Sequence, residues 1–287
     1  MFATIWNTIF YHPILNIVLA SYHLLWDNLG LAIIAIAILF RLILLPFMKR
    51  QTEMTKKMST LQPQLKELQK KYKNNPQKLS QEQMKLYKKV GYNPLGCLVT
   101  FVPQLLILSV LIQVIRNVTN GSLDGIYPFV SNWINNGSEI VINTRFLVWD
   151  LTRSYNDVAA EFGRFAAVSL FYLLLSLLVG FSQYLMSKFT QVMQDPINVP
   201  VEEKKSTKKK DEPISPEEMQ KKMTKSFMLI LPLSTVFIAI SAPSALSLYW
   251  VIQSFMLVLQ YVFLDWDKTK KGVQNLITIY RGKQKKV

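Results

Sequence analysis

The sequence predicts an all-α polytopic membrane protein with five transmembrane helices. Half of its 287 residues are hydrophobic, yet the formal net charge is +15, a combination typical of apolar spans joined by basic segments rather than of one soluble core. Five apolar windows approach the roughly 17–25 residues needed to cross ~30 Å of hydrocarbon. They are residues 29–48, 95–115, 165–187, 226–241 and 244–264.

The windows divide the chain into spans and connecting segments. We expect spans over residues 29–48, 93–118, 164–188, 225–241 and 243–264. Ala242 and Pro243 separate the last two, which should form a tight helical hairpin. The connecting segments are an N-terminal interfacial helix (1–28), a cytoplasmic helical hairpin (49–92), an extracytoplasmic loop (119–163), a cytoplasmic linker (189–224) and a basic cytoplasmic tail (265–287).

The distribution of basic residues predicts the orientation. Residues 49–92 hold twelve Lys and Arg, residues 188–225 hold nine and residues 265–287 hold seven, whereas residues 1–30 hold none. Because basic segments stay on the cytoplasmic side, the N-terminus should lie outside and the C-terminus inside. An N-terminus without an Arg-rich, acid-poor stretch favours a bacterial plasma (inner) membrane over an organelle.

The N-terminal segment and the cytoplasmic hairpin are predicted from their patterns. Residues 14–26 are short for a span and follow Pro13, which favours an interfacial helix over the alternative of an additional span in residues 2–26. In the hairpin, NNP at 74–76 indicates a turn and SQEQ at 80–83 reads as a capping box that opens the second helix. The first helix carries one apolar stripe, which either packs on the second helix or binds a partner. The stripe consists of Met54, Met58, Leu61, Leu65, Leu68 and Tyr72.

No motif for catalytic chemistry is present. The sequence lacks the phosphate-binding, dinucleotide-binding, zinc-protease and serine-hydrolase signatures, so we expect no enzyme activity and no cofactor. The single cysteine, Cys97, and the widely spaced His12 and His23 predict no metal site. None of the eighteen acidic residues lies in an apolar window, which argues against a proton relay within the membrane.

Arg41 is the one charged residue in the first window. It precedes Lys49 by eight residues, which places it about 12 Å inside the cytoplasmic end of a straight helix. An arginine at the centre of a span costs about 2.5–3.5 kcal/mol, so it must either snorkel to the surface or lie in a polar cavity. Polar residues of the other spans could line such a cavity: Gln104, Gln183, Tyr249, Trp250 and Gln253.

Several stretches in succession resemble the YidC/Oxa/Alb family of membrane protein insertases. They are NLGLAIIAIAILFRLILLPF from Asn28, LQP at 61–63, GYNPLGCL from Gly91, FLVWDL from Phe146, DP at 195–196 and APSALSLYWVIQS from Ala242. The similarity extends from about Tyr11 to Asp265. It implies a hydrophilic groove that is open to the cytoplasm and to lipid and closed on the outside.

The resemblance also implies roles for particular residues. Arg41 corresponds to the arginine of the family's groove, Trp250 beside Tyr249 to its aromatic position, and Gln183 to its glutamine. The hairpin recruits substrate in the family, which assigns that role here to Lys56, Lys57, Lys66, Lys70 and Lys71. This chain has Ala37 where many members carry a small polar residue one turn before the arginine, which predicts a less polar groove.

The implied function is the insertion and folding of nascent membrane proteins without ATP. The implied partners are these nascent chains and the lipid bilayer, with a ribosome and a Sec-type channel as further candidates, and the chain is expected to be a monomer or weak oligomer. The tail residues Lys283, Lys285 and Lys286 could contact anionic lipid or the ribosome. The alternatives are a small-anion transporter or channel subunit, which the intramembrane arginine would also permit, and a structural assembly subunit.

Overall fold

A computed structural model describes residues 2–72, 75–89, 91, 96–120, 122, 124–135, 141–194, 230, 232–264, 266, 269–270 and 274. These residues are mostly α-helical. The helices are α1 (Phe2–Trp6), α2 (His12–Leu24), α3 (Leu29–Lys71), α4 (Pro76–Lys89), α5 (Gly96–Thr119), α6 (Pro128–Asn135), α7 (Tyr155–Phe162), α8 (Ala167–Gln194), α9 (Pro232–Ser241) and α10 (Ser244–Leu264). A π-helical turn, Asn7–Tyr11, joins α1 to α2, and two short strands, β1 (Arg145–Phe146) and β2 (Trp149–Asp150), form a hairpin.

Among the described residues, three helices are long and apolar enough to cross a membrane. They are Leu29–Phe47, Ala167–Thr190 and Ser244–Phe263. The segments Leu105–Val118 and Pro232–Ser241 are apolar helices of shorter described length. The expected break at Ala242 and Pro243 is confirmed, because α9 ends before these residues and α10 begins after them. The all-α membrane class therefore agrees with the structure, while the number five stays a prediction.

Helix α3 is longer than the first predicted span. It continues without interruption from Leu29 to Lys71 and contains both Pro46 and Pro63. Proline removes one backbone hydrogen bond, but the bonds on either side can maintain a helix. Near residue 49 the sequence changes from continuous apolarity to a periodic apolar stripe, but the helix does not end there. The predicted boundary between the first span and the hairpin therefore lies inside α3.

The predicted start of the second hairpin helix is wrong. Helix α4 begins at Pro76, and the Asn75 side chain accepts a hydrogen bond from the Lys78 backbone N–H at 3.1 Å. Ser80 is an exposed residue inside the helix and does not cap it. Asparagine at the N-cap followed by proline at the first helical position is the stronger start signal, because proline has no N–H to satisfy there.

The chain forms two compact units. The first comprises Met1–Ile43, Gln104–Ser187 and Lys222–Val258, and the second comprises Leu44–Pro103, Lys188–Lys221 and Leu259–Val287. In the second unit Leu61, Leu65 and Leu79 are buried. Lys78 of α4 lies 5.7 Å from the centre of the Tyr72 ring, at the end of α3. These positions agree with packing between α3 and α4, the first of the two alternatives for the stripe, whereas the side chains of Met54 and Met58 lie outside the described residues.

The N-terminal segment of the first unit is helical from Phe2 to Leu24 and passes through Pro13. Asn16 is 4% exposed and connects this segment to the loop after α5. Its amide donates to the Gly125 carbonyl at 3.0 Å, and its side-chain oxygen accepts from the Tyr127 N–H at 2.8 Å. The indole of Trp6 donates to Gln113 of α5 at 3.1 Å. The segment is thus bound to protein along much of its length, and its position relative to the membrane surface stays a prediction.

The hairpin β1–β2 contacts the beginnings of three helices in the first unit. Phe146 lies against Gly30, the second residue of α3, so closely that a methyl group on Gly30 would overlap its ring. The Asp150 N–H donates to the Tyr172 hydroxyl near the start of α8 at 2.7 Å, and the Asp150 carbonyl accepts from Ser244 Oγ of α10 at 2.8 Å. Since one small hairpin reaches the N-terminal ends of α3, α8 and α10, the three candidate spans run in the same direction.

Replacing Gly30 with alanine tests this packing. Alanine improves helix propensity by about 1 kcal/mol, but overlap with a packed ring costs about 1–3 kcal/mol, so we expect Gly30→Ala to lower the thermal midpoint of the purified protein in detergent. Phe146→Ala in the same chain should recover part of the loss, because it removes the overlapping ring. A Gly30→Ala protein that is more stable than the parent would contradict the contact.

Candidate functional site

Arg41 lies on the face of α3 that is buried within the first unit. Ile33 and Ala37, two turns and one turn before it, are fully buried, and Arg41 is only 8% exposed. Leu42 and Ile43, which turn away from this face, are more than half exposed. A snorkelling arginine would run along the lipid-exposed side of its helix. The burial of Arg41 therefore argues against snorkelling, and the other alternative, a polar cavity around the guanidinium, stays a prediction.

Gln253 of α10 approaches the same face of α3. Its Nε2 group donates hydrogen bonds to the Ala37 carbonyl at 3.3 Å and to the Tyr249 hydroxyl at 3.2 Å. Residues four apart on a helix are neighbours, with Cβ atoms about 5–6 Å apart, so Arg41 is one turn from the carbonyl that Gln253 contacts. Arg41, Tyr249 and Gln253 consequently share one buried region, which we call the α3–α10 cluster.

The other sequence-predicted groove residues are less closely defined. Gln183 on α8 and Trp250 on α10 are partly buried, and within the described part of the chain neither the Gln183 amide nor the Trp250 indole makes a hydrogen bond. Gln104 belongs to α5, but its side chain lies outside the described residues. The structure thus brings together three of the six predicted groove residues and leaves the association of the other three as a prediction.

Buried serines beside the cluster were missed by sequence reasoning. Ser247 and Ser254 lie seven residues apart on α10 with Trp250 between them, so the three share one stripe of the helix. Ser254 donates to the Trp250 carbonyl at 2.9 Å. Ser247 is 1% exposed, and its hydroxyl has no hydrogen-bond partner among the described residues. The seven-residue spacing of the two serines could have indicated a polar stripe on this helix. A serine in a span usually donates its hydrogen bond to its own helix backbone, however, so such a pair is easily overlooked.

The hairpin β1–β2 and the residues that follow it hold the end of the first unit that is distant from Arg41. The Ser244 and Ala245 N–H groups donate to the carbonyls of Arg153 and Leu151 at 2.9 and 3.0 Å. These donors belong to the first turn of α10, which has no intrahelical partners for them. Arg41 follows Gly30 by eleven residues, about 17 Å along a helix. Arg41 and the contact with the hairpin therefore lie at different positions along α3.

The predicted recruitment lysines lie in the second unit. Lys70 and Lys71 are exposed, and Lys71 Nζ is 5.6 Å from the centre of the Tyr72 ring. On α4, a hydrogen bond from Lys85 lowers the pKa of Glu82. The side chains of Lys56, Lys57 and Lys66 lie outside the described residues, as do Lys283, Lys285 and Lys286. The described hairpin is therefore a basic, exposed helical pair whose contacts with a substrate stay a prediction.

Comparison with known families identifies the family to which the chain belongs. The family model described as 60Kd inner membrane protein matches residues 21–271. The chain belongs to this family. It is the YidC/Oxa/Alb family, so the resemblance drawn from the motifs is confirmed.

Relatives from bacteria and plants align with most of the chain. It is 30% identical over 262 residues to "Membrane protein insertase YidC" of Treponema denticola, covering 90% of this chain and 38% of that protein. It is 30% identical over 266 residues to "ALBINO3-like protein 1, chloroplastic" of Arabidopsis thaliana, covering 87% and 46%. It is 29% identical over 247 residues to "Membrane protein insertase YidC" of Caldanaerobacter subterraneus subsp. tengcongensis, covering 85% and 89%. The chain thus spans less than half of the first two relatives and most of the third.

Two family landmarks coincide with the structural features of the first unit. FLVWDL contains the hairpin β1–β2 except for its first residue, Arg145, and APSALSLYWVIQS contains the first turn of α10 together with Tyr249 and Gln253. The first landmark joins the three candidate spans, and the second supplies one side of the α3–α10 cluster. Both are thus placed where they determine packing around the arginine-bearing helix.

Replacing Gln253 with leucine tests the cluster. Leucine fills a similar volume but removes both hydrogen bonds, each worth about 0.6 kcal/mol on average between membrane helices, so we expect Gln253→Leu to lower stability by about 1 kcal/mol in reversible unfolding from mixed micelles. The matched control is Gln183→Leu, which removes an amide without a described hydrogen bond and should change stability less. Equal losses in the two variants would contradict a specific role of Gln253.

Proposed function

We propose that this protein inserts nascent membrane proteins into the bilayer and assists their folding. Its family and the names of its relatives support this function. The observation that carries the proposal is the buried Arg41 on a helix whose other face is exposed and apolar. A cation in this position can attract polar or acidic flanks of a substrate, while the lipid-exposed face accommodates its apolar segment.

The topology we propose has five spans, with the N-terminus outside and the C-terminus in the cytoplasm. Because α3, α8 and α10 run in the same direction, the chain must return across the membrane between each successive pair. The apolar helices Leu105–Val118 and Pro232–Ser241 are in the correct order to make those two returns. The basic segments then lie on the cytoplasmic side, as the positive-inside rule requires. In this topology the hairpin β1–β2 is extracytoplasmic.

The mechanism requires no bond-making chemistry and no ATP. A groove lined by Arg41, Tyr249, Gln253, Trp250, Gln183 and Gln104 would shorten the hydrocarbon path of a hydrophilic flank. Burial of a ~20-residue substrate helix at about −0.3 to −0.6 kcal/mol per apolar residue provides about 6–12 kcal/mol. One charged residue at the bilayer centre costs about 2.5–3.5 kcal/mol. The substrate's own helix can therefore drive the transfer of a flank with one or two charges.

Arg41 variants test the charge requirement. We expect Arg41→Ala to abolish insertion of a single-span substrate with an acidic translocated tail, whereas Arg41→Lys retains most of the activity, because either side chain supplies the attracting positive charge. The measurement is protease protection of the translocated tail in vesicles that contain the purified protein. Leu42→Ala is the matched control, since it truncates the exposed neighbour of Arg41 and should not change insertion.

The same vesicles distinguish insertion from transport of small anions. Full insertion by Arg41→Ala would contradict a role for the charge. Arg41-dependent chloride flux without protection of the substrate tail would favour the transporter or channel alternative. Neither insertion nor flux in the parent protein would favour a structural assembly subunit.

The basic segments are proposed to bring substrates and ribosomes to the membrane. We assign recruitment of nascent chains to the hairpin that bears Lys70 and Lys71, and ribosome contact to the tail, residues 265–287. A Sec-type channel is a further candidate partner. Ribosomal RNA and the acidic segments of a nascent chain are anionic, which is the chemistry that exposed lysines recognise.

Shortening the tail tests the ribosome contact. We expect the full chain in detergent to cosediment with ribosomes at low salt and residues 1–264 to cosediment much less, because the removed segment holds seven basic residues. Raising the salt concentration should release the full chain. A control chain with Lys283, Lys285 and Lys286 changed to arginine keeps the charge and should still bind. Equal ribosome binding by the full and shortened chains would contradict the ribosome contact and favour contact of the tail with anionic lipid.

A further inference from the structure

The turn of the hairpin β1–β2 has two apolar side chains that are exposed. Leu147 is 79% exposed and Val148 is 56% exposed. Their neighbours in the strands are bound to protein, with Phe146 against Gly30 and the Trp149 indole donating to the Phe171 carbonyl at 3.1 Å. The exposed apolar residues of the hairpin are therefore confined to the tip, and the base of the hairpin is held on α3, α8 and α10.

The backbone at the tip is unfavourable for leucine. Leu147 has φ of 53°, a conformation in which glycine and asparagine are preferred and other residues are strained. Two-residue hairpin turns in water use Asn-Gly or Asp-Gly for this reason. A leucine-valine turn gives up both the relaxed backbone and the usual polarity, which is expected where an apolar side chain at the tip gains contacts outside the chain.

The position of the hairpin along α8 identifies the surroundings of the tip. Phe171 is the fifth residue of α8, so the carbonyl that binds the Trp149 indole lies about 6 Å inside the start of this candidate span. Leu147 is two residues from Trp149, at most about 7 Å along the chain. The start of α8 is itself apolar and exposed at Val168, Phe171 and Leu174. The tip therefore adjoins a helix surface that faces lipid wherever α8 crosses a bilayer.

We propose that Leu147 and Val148 insert into the leaflet that contains the N-terminal ends of α3, α8 and α10, where they contact the acyl chains next to the headgroups. The free N–H and C=O groups of a two-residue turn must stay hydrated, which limits insertion to this boundary region. The Trp149 indole, with an apolar ring and a polar N–H, suits the same depth. The hairpin thus anchors the N-terminal ends of the spans to lipid as well as to one another. This inference needs only the membrane position of α8, and it stands independently of the insertase activity.

Fluorescence from single labelled sites tests the insertion. In a Cys97→Ser background, Leu147→Cys labelled with an environment-sensitive fluorophore should emit at shorter wavelength in vesicles than Ser122→Cys, an exposed polar site in the same loop region. Nitroxides near the headgroup end of the acyl chain should quench it more strongly than nitroxides at the chain end. Leu174→Cys, on the exposed face of α8, is the lipid-contacting control, and deep nitroxides should quench it more than they quench position 147.

Three results would overturn the proposal. Emission and iodide quenching equal to those of Ser122→Cys would place the tip in water. A shorter emission wavelength without nitroxide quenching would indicate protein contact, and its loss on dilution to one protein per vesicle would identify a second copy. Leu147→Asn, which suits the positive φ, should fold, but it should be extracted more easily by mild detergent than the parent. Unchanged extraction together with water-like emission would exclude lipid anchoring.

Discussion

An ionised guanidinium on a membrane-length helix constrains the arrangement of its neighbours. Arg41 can be accommodated only where the helix faces other protein groups or water, because exposure to hydrocarbon costs several kcal/mol. The structure meets this constraint by turning Arg41 inward while Leu42 and Ile43 turn outward. Helix α10 lies against the inward face, where it presents Tyr249 and Gln253 instead of aliphatic residues. The polar face of α10 and the orientation of α3 are thus two consequences of one charge.

The hairpin β1–β2 aligns the N-terminal ends of three helices in the same bundle. Three parallel helices have no short connection between them, so sequence neighbours cannot align their ends. The hairpin aligns them by contacts with Gly30, Tyr172 and Ser244. Backbone carbonyls of the segment that follows it also satisfy N–H groups in the first turn of α10. A short segment between the second and third predicted spans therefore determines the registry of the helix that carries Arg41 with the helices beside it.

Sequence reasoning predicted the features that depend on composition and failed where distant contacts decide. The spans of α3, α8 and α10 and the break at Pro243 follow from apolarity and proline chemistry, which act locally. The start of α4 was misplaced because Ser80 offered a familiar capping pattern, although Asn75 and Pro76 form the stronger one. The hairpin could not be predicted from FLVWDL, since its strands are two residues long and are held by Gly30 and Tyr172, which lie far away in sequence.

The less polar groove expected from Ala37 stays a prediction, but the structure places a polar side chain of another helix beside this residue. The sequence has alanine where many family members carry a small polar side chain, and the absence of that group suggested a less polar environment for Arg41. In the structure the Gln253 amide of α10 donates to the Ala37 carbonyl at 3.3 Å. A hydroxyl at residue 37 could instead bond the backbone of its own helix, as Ser254 does. Polar groups of both α3 and α10 therefore meet at the Ala37 carbonyl, one turn before the arginine.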